Sequence, residues 1–596
     1  MESDLDPSFL VDFISGEKVR ANPEEIEAVQ PFTAILVKDY GYPKENIATH
    51  PQWRVKVRPS DSKKEYPVDI AIFSDSNHSD DNIEIIVECK KKNRKDGKTQ
   101  LEDYLRFSKA TMGVWFNGEE RLYLHKIERG GEVLFEEIPN IPRYGERLED
   151  IGLFKRKDLK PAENLKPVFK SIRNYLAANA VGMTRDEVFA SQIINIIFCK
   201  IYDERFTRPE DTINFRAGIG EKPEIVKKRL LSLFDKVKKQ YDDVLEVSDS
   251  ITLDEKTLVY IVGELQLYSL IDSSRDAVGE AFELFIGPSL KGSQGQFFTP
   301  RNVVDMVINM IDPGVTDKII DPACGSGGFL VQSLRYVWKK VEENGKELGW
   351  PEHEIEAEKQ KTAIKNFRGI DKDEFLSKVA KAYLAILGDG RGGIHCENSL
   401  DLYSNWSHKT SDDIHPNSFD IVVTNPPFGK KLAIDSTEIL SQFDLGHKWK
   451  DNKDGTFEKG ELADKQPPQI LFIERCFELL RPGGKLGIVL LESIFGMPKY
   501  RYVVDYILRH SKILAMVSLP DDLFQPNTHA KCCVLICQKY CDDETIDNCG
   551  DYDIFMADAK WCGHDSRGNP TYRIGDDGMK VLLDDIPLVA KAYRKV

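Results

Sequence analysis

The chain lacks the features that would tie it to a membrane, a disulfide scaffold or an ATP motor. No apolar run in its 596 residues approaches the roughly 20 that a membrane helix needs. The opening stretch Met1-Glu2-Ser3-Asp4-Leu5-Asp6 is acidic and has no signal-peptide pattern, so a cytoplasmic location is expected. Eleven cysteines are scattered without one C-x-x-C pair. Reduced thiols are therefore expected, rather than a zinc ribbon or a disulfide framework. No G-x-x-x-x-G-K-[S/T] string occurs, so no P-loop motor is visible. There is no internal repeat and no long low-complexity segment. Positive charge is short as well: 82 Lys and Arg stand against 98 Asp and Glu, a net charge of −16. That balance disfavours a chain coated in nucleic-acid-binding surface, while leaving room for local basic patches or for a partner that supplies the grip.

What is present is ordinary globular composition, 41% hydrophobic and 30% charged, in a chain long enough for several domains. Residues 1–137 mix helix and strand signals. Pro23 to Tyr40 reads as a helix, and Tyr66 to Phe73, Ile83 to Cys89, Gly113 to Asn117 and Arg121 to Lys126 read as short strands. The stretch 138–166, with Pro139, Pro142 and Pro161 among many charges, reads as a connector. Residues 167–290 have helical period, as in Val226, Leu230, Leu233, Phe234 and Val237. From 291 to 540, strand runs alternate with helix runs, the pattern of a doubly wound parallel sheet. Two inserts interrupt it. Arg335 to Lys365 is charged and helical. Lys430 to Pro468 reads either as a cover over a substrate or as a solvated loop. The tail 541–596 carries no assignable motif.

Two strand ends carry the chemistry. Lys318-Ile319-Ile320 opens into Asp321-Pro322-Ala323-Cys324-Gly325-Ser326-Gly327-Gly328. Glycines at such a turn let a ligand approach the backbone, and the following helix N-terminus favours negative charge. About a hundred residues later, Phe419 to Thr424 runs into Asn425-Pro426-Pro427-Phe428. An amino nitrogen on an aromatic ring is a poor nucleophile because its lone pair is delocalised into the ring. Two acceptors, the Asn425 side-chain oxygen and the Pro426 carbonyl, can draw the hydrogens of such a group out of plane. Phe428 can stack on such a ring. Gly369-Ile370-Asp371 ends another strand, where an acid can accept from two ribose hydroxyls.

In this order the two motifs resemble the S-adenosylmethionine-dependent amino-methyltransferases of DNA. The resemblance implies that Asp321 faces the cofactor's methionine end and that Ala323, Gly325 and Gly327 belong to its loop. Gln296, Phe297, Phe298 and Thr299 would lie over the cofactor pocket. Asn398 stands where the family usually has an acid against the cofactor's adenine. The motif order and the Asn-Pro-Pro-Phe form favour adenine N6 over cytosine N4.

A second constellation lies near the N-terminus. Pro67-Val68-Asp69 is followed nineteen residues later by Glu88-Cys89-Lys90. This is the P-D…(D/E)-x-K arrangement of metal-dependent nucleases. Asp69 and Glu88 offer hard oxygens to Mg²⁺, and Lys90 can orient the attacking water. Gln100 and Tyr104, one helical turn apart, resemble the Q-x-x-x-Y addition of type I restriction subunits. The run Lys90 to Lys95 can track phosphates. An N-terminal acid, Glu24, Glu25 or Glu27, can assist.

Taken together, the chain resembles a prokaryotic bifunctional restriction–modification subunit of the type IIB-like kind. The expected fold is multidomain α/β: a PD-(D/E)xK nuclease-like head, a helical domain, then a Rossmann-like methyltransferase sheet. The implied cofactors are S-adenosylmethionine and Mg²⁺. The implied partners are double-stranded DNA and a separate specificity subunit in a hetero-oligomer, because no target-recognition domain is apparent. A modification-only subunit with an inert N-terminal domain is the alternative.

Overall fold

The computed structural model describes residues 8–56, 66–92, 94–162, 164–179, 186–273, 279, 299–387, 390–429, 432–452, 454–526, 528–574 and 580–595. The chain divides into two compact units, Met1–Asp242 with Glu246–Ile286, and Asp243–Leu245 with Gly287–Val596. No helix among the described residues is long and apolar enough to cross a membrane.

Unit 1 is built on six strands: β1 (Ile47–Ala48), β2 (Ile70–Phe73), β3 (Ile83–Cys89), β4 (Met112–Phe116), β5 (Arg121–Arg129) and β6 (Glu132–Glu137). They lie in the order β6-β5-β4-β3-β2-β1, with only β3 and β4 parallel. Helix α1 (Gln30–Lys38) precedes β1; the parallel pair needs a crossover, and helix α2 (Lys98–Arg106) supplies it. Its Leu101, Tyr104 and Leu105 are buried in one core with Val68, Phe73, Ile86 and Trp115. The sequence reading of Tyr66 to Phe73 as one strand is divided here. Tyr66–Pro67 pairs with Arg54–Val55, Ile70–Phe73 pairs with β3, and Asp69 falls between the two pairings.

The helices α3 (Lys166–Asn179), α4 (Asp186–Phe206), α5 (Pro223–Gln240) and α6 (Glu255–Leu265) belong to the same unit. An ion pair buried on both sides joins them to the sheet. Arg121 of β5 meets Glu264 of α6 at 3.2 Å, and the Tyr123 hydroxyl donates to the same carboxylate at 3.0 Å. The stretch 138–166, expected as a connector, is packed into this unit. Ile141, Ile151 and Leu165 are buried, and Asn140 donates to the Gly263 carbonyl at 3.0 Å.

In unit 2, helix α7 (Arg301–Ile311) precedes β7 (Ile319–Asp321), α8 (Gly328–Glu347), α9 (Glu352–Asn366), β8 (Phe367–Asp371), α10 (Glu374–Leu387) and β9 (Ile394–Cys396). Then come β10 (Phe419–Thr424), a hairpin of β11 (His447–Asp451) and β12 (Phe457–Leu462), α11 (Pro468–Leu479), β13 (Leu480–Leu491) and α12 (Arg501–His510). The last elements are β14 (Ser511–Ser518), β15 (Cys532–Lys539), β16 (Phe555–Asp558) and α13 (Ile586–Tyr593). Eight of these strands form one sheet in the order β9-β8-β7-β10-β13-β15-β14-β16. Strands β9, β8, β7, β10 and β13 are mutually parallel, and β15 enters antiparallel to both its neighbours. The doubly wound architecture read from the alternation is therefore present. The near-continuous apolar runs of β10 and of the second half of β13, from Leu486 to Leu491, follow from burial on both faces of the sheet. The sheet also runs past residue 540, since β16 pairs in parallel with β14.

The insert after Asn-Pro-Pro-Phe is neither a bare loop nor wholly solvated. Leu440, Phe443 and Leu471 are buried together with Phe472 and Leu400. Two backbone N–H groups, of Asp444 and Leu445, donate to Glu474 of α11 at 2.8 Å each.

Replacing Glu264 by Ala would leave the Arg121 guanidinium buried and unpaired. A loss of about 3–5 kcal/mol in the stability of unit 1 is expected for breaking such a pair from one side. Urea denaturation followed by hydrogen exchange of the β3 to β5 amides measures it.

Candidate active site

The carboxyl ends of β7, β8 and β10 meet at one cavity of about 150 Å³. It is lined by Ala323 and Gly325 of the glycine loop, Asp371, Asn398, and the whole run Asn425 to Phe428. Parallel pairing of Ile319 with Ile421 and Ile320 with Val422 brings the two motif-bearing strand ends side by side.

The loop geometry depends on glycine at two places. Gly325 has φ +52° and Gly327 has φ +87°, conformations that side chains oppose. Nothing lies within 4 Å of where a Cβ would stand at Gly325, so the backbone is open on that side. The Gly325 N–H donates to Asp371 at 2.9 Å, and the Asp373 N–H donates to its other oxygen at 2.9 Å. Burial raises the Asp371 carboxyl above its ordinary range, against these two bonds. Asp321, 1% exposed, accepts from the Ala323 N–H at 3.0 Å. Burial, with the Asp371 charge adding to it, pushes Asp321 up to about 7.

Asn425 donates from Nδ2 to the Thr299 hydroxyl at 2.9 Å. Phe428 lines the cavity and is itself 4% exposed, its ring edge-on to Phe524 with centroids 5.8 Å apart. Of the expected cofactor residues, Gln296, Phe297 and Phe298 lie outside the described residues. Gly327 caps the N-terminus of α8, and neither it, Asp321 nor Thr299 is among the residues that line the cavity.

Sequence reasoning missed the apolar wall. Leu400, Ile434, Pro468 and Phe472 line the cavity from the loop after Asn398, the insert and α11. Phe472 follows Pro468 by one helical turn, a spacing that puts both on one face and that was legible.

The residues fit S-adenosylmethionine on observation. A glycine backbone open where a Cβ would stand, a carboxylate at the second strand end and an apolar wall surround one cavity.

In unit 1, the expected nuclease residues also converge. Asp69 accepts from the Cys89 N–H at 2.7 Å and from Gln52 at 3.4 Å. Lys90 Nζ pairs with Glu88 and donates to the Cys89 carbonyl at 3.1 Å. Burial pushes Asp69 up to about 6. Burial and the Asp69 charge push Glu88 up to about 8. Of the three N-terminal acids, Glu24 is the one whose charge raises both carboxyls. Glu25 is taken by His50 at 3.0 Å, and Glu27 by the Lys92 N–H at 2.9 Å. Gln100 donates to Tyr104, whose hydroxyl reaches the Pro67 carbonyl at 3.3 Å, so the Q-x-x-x-Y pair braces the short strand that ends two residues before Asp69. Gly97, at φ +97°, lets the start of α2 approach, since a Cβ there would stand 2.8 Å from Lys90 Cε.

Two adjacent carboxyls held above their ordinary range are a donor pair that a divalent cation would let ionise, and Mg²⁺ takes one or two carboxylates with waters. Among the described residues, no three His, Cys, Asp or Glu side chains group as a metal site. The basic run is partly neutralised: Lys92 meets Glu119 at 2.8 Å and Lys95 meets Glu120 at 3.2 Å.

Residues 273–570, half of the chain, match the N-6 DNA Methylase family. The chain belongs to that family. Residues 23–142 match the N terminus of the type I restriction enzyme R protein. The type I restriction enzyme EcoEI methylase subunit of Escherichia coli is 25% identical over 316 residues, covering 50% of this chain and 56% of that one. The MjaIX methylase subunit of Methanocaldococcus jannaschii is 28% identical over 282 residues, covering 46% and 43%. The chain thus spans about half the length of the curated relatives it matches. Among solved structures, the type I restriction-modification system methyltransferase subunit from Streptococcus thermophilus superposes with a TM-score of 0.43 at 19% identity, covering 63% of this chain and 70% of that one.

A carboxyl raised by burial favours the folded state in its neutral form. Relative to Asp321→Asn, the wild-type protein should therefore lose stability as pH rises from about 4 through about 7, and the two should converge in acid. Denaturation midpoints across that window check the sign.

Proposed function

We propose that this chain is a subunit of a restriction–modification complex that methylates adenine N6 in double-stranded DNA. The convergence of Ala323, Gly325, Asp371 and Asn425-Pro-Pro-Phe on one cavity carries the reading, with Asp321 holding the Ala323 N–H of the same loop. S-adenosylmethionine, when bound, supplies a methyl group activated on a sulfonium.

Asp371 binds the ribose hydroxyls with the lone pairs not given to Gly325 and Asp373. The Gly325 backbone leaves room for the methionine end. The target adenine is flipped from the duplex into the pocket, at an unstacking cost of a few kcal/mol. There the Asn425 Oδ1 and the Pro426 carbonyl accept its two amino hydrogens. This turns the nitrogen lone pair out of conjugation and aims it. The Asn425 bond to Thr299 orients the amide. No strong general base is needed, because the amine becomes acidic once methylated. Phe428, packed against Phe524, forms a wall for the base. Leu400, Ile434 and Phe472 exclude water. DNA sequence choice is assigned to a separate specificity subunit in a hetero-oligomer.

The N-terminal unit is proposed as a nuclease. Asp69 and Glu88 would hold Mg²⁺, which offsets charge on the scissile phosphate, and Lys90 would stand beside the attacking water. This makes the chain a bifunctional subunit, prokaryotic and cytoplasmic. A second reading is a modification-only subunit. It is favoured by the closed Lys90–Glu88 pair and by the acids that neutralise the basic run.

With the specificity partner present, Asn425→Ala should cut methyl transfer by a factor on the order of 100 or more, as losing a positioned polar contact to the transition state does. Binding of S-adenosylhomocysteine should persist. Retained methylation would refute the assignment. Mg²⁺-dependent cleavage of unmethylated DNA should disappear in Asp69→Ala. Cleavage surviving that change would remove Asp69 from the site, and no cleavage by the wild type would leave the modification-only reading.

A further inference from the structure

The stretch after residue 540 carries no motif, yet it grips the helix that leads away from the methyl-transfer site. Strand β16 ties it to the sheet beside β14, and Cys562, just beyond, bridges antiparallel to Asp584. One oxygen of Asp584 takes the Ile586 N–H at 3.0 Å, at the start of α13. The other accepts from Nδ2 of Asn302, in the first turn of α7, at 2.9 Å. The Cys562 carbonyl accepts from the same nitrogen at 3.4 Å. Beyond the far end of α13, Arg594 donates from Nε to the Asn309 carbonyl of α7 at 3.2 Å. The tail thus holds α7 near both of its ends and on one face, since Asn302 and Asn309 lie about two turns apart.

The opposite face of α7 is set by β13. A Cβ at Gly487 would stand 2.5 Å from Ile311 Cδ1 and 2.8 Å from Val307 Cγ1, so the helix lies directly on the strand. Helix α7 is therefore held between the strand and the tail.

The seating of α7 governs Thr299. Its hydroxyl accepts from Asn425 Nδ2 at 2.9 Å, and it stands two residues before the helix begins. Thr299 is buried outside the cavity lining, so it acts on the site through Asn425. The link from Thr299 to the helix is stiff. Pro300 fixes its own φ and pushes the residue before it toward extended backbone. The Pro300 carbonyl takes the Val303 and Val304 N–H groups at 3.0 and 3.1 Å, the first bonds of the helix. A shift at Asn302 is passed through that turn to Thr299.

We infer that Asp584 is a positioning residue for methyl transfer: through Asn302 and the first turn of α7 it sets the Thr299 hydroxyl that orients Asn425. The inference rests on the reading of Asn425 given above.

The test is methyl transfer to DNA by the full chain with its specificity partner, alongside calorimetric binding of S-adenosylhomocysteine. Asp584→Ala removes the grip. Asn302→Asp sets two carboxylates against each other while leaving the Ile586 bond to Asp584 in place, so it breaks the link without loosening the tail. Loss of one hydrogen bond of ordinary net strength predicts a kcat about fivefold to tenfold lower in each. The KM for S-adenosylmethionine and the affinity for S-adenosylhomocysteine should stay within about twofold, because neither residue lines the cavity. The exchange Asn302→Asp with Asp584→Asn reverses donor and acceptor and should restore kcat. Thr299→Val should lower kcat by itself, and adding Asp584→Ala to it should cost no more than about twofold further, since both act through one contact. The inference is overturned if Asn302→Asp keeps the wild-type kcat, if the losses in Thr299→Val and Asp584→Ala multiply, or if S-adenosylhomocysteine binding falls in step with kcat. A wild type that binds S-adenosylhomocysteine but transfers no methyl group would overturn the reading of Asn425 itself, and this inference with it.

Discussion

The pairing of β7 with β10 governs the methyltransferase unit. These two short parallel strands lie in register, Ile320 beside Val422, so their carboxyl ends open on the same edge of the sheet. Parallel strands demand long crossovers, and the chain between them holds α8, β8, α10 and β9. The crossovers return each strand pointing the same way, so every loop that leaves a strand end faces one crevice. Asp321 and Asn425 become neighbours for that reason alone. The burial that accompanies the arrangement explains the electrostatics: two carboxyls, Asp321 and Asp371, sit where ionisation costs free energy unless donors face them.

Unit 1 depends on a different device. A sheet and a set of helices are joined by a fully buried ion pair, Arg121 to Glu264, with Tyr123 sharing the carboxylate. Such a pair adds little net stability compared with apolar packing, but removing either partner leaves the other buried and unpaired. The carboxyls of Asp69 and Glu88 are therefore carried on a body that extends through α6, not on a head attached by a flexible connector. Their raised affinity for protons follows from the same burial, and the brace from Tyr104 to Pro67 holds the strand break at which Asp69 sits.

Much of this was legible from residues. The glycine loop, the Asn-Pro-Pro-Phe run and the strand that ends in Glu88-Cys89-Lys90 are local patterns whose chemistry is carried by a few consecutive side chains. The alternation of strand and helix foretold the parallel sheet because burial on both faces leaves an apolar signature. Less legible was 138–166. Its prolines and charges look like a linker, yet Ile141, Ile151 and Leu165 are buried against partners far away in sequence. The insert after Phe428 reads from its Lys, Asp and Gly content either as a cover or as a solvated loop; Leu440 and Phe443 pack with Phe472, and Leu432 and Ile434 reach the cavity.

The sequence by itself determined the identity of the reacting groups, because the kind of chemistry at each site depends on residue types at short spacing. Only the tertiary structure decided which of them share a cavity and which of Glu24, Glu25 and Glu27 bears on both Asp69 and Glu88. Those are matters of long-range packing and of hydrogen bonds to backbone groups, whose partners are set by the fold and not by the neighbours along the chain.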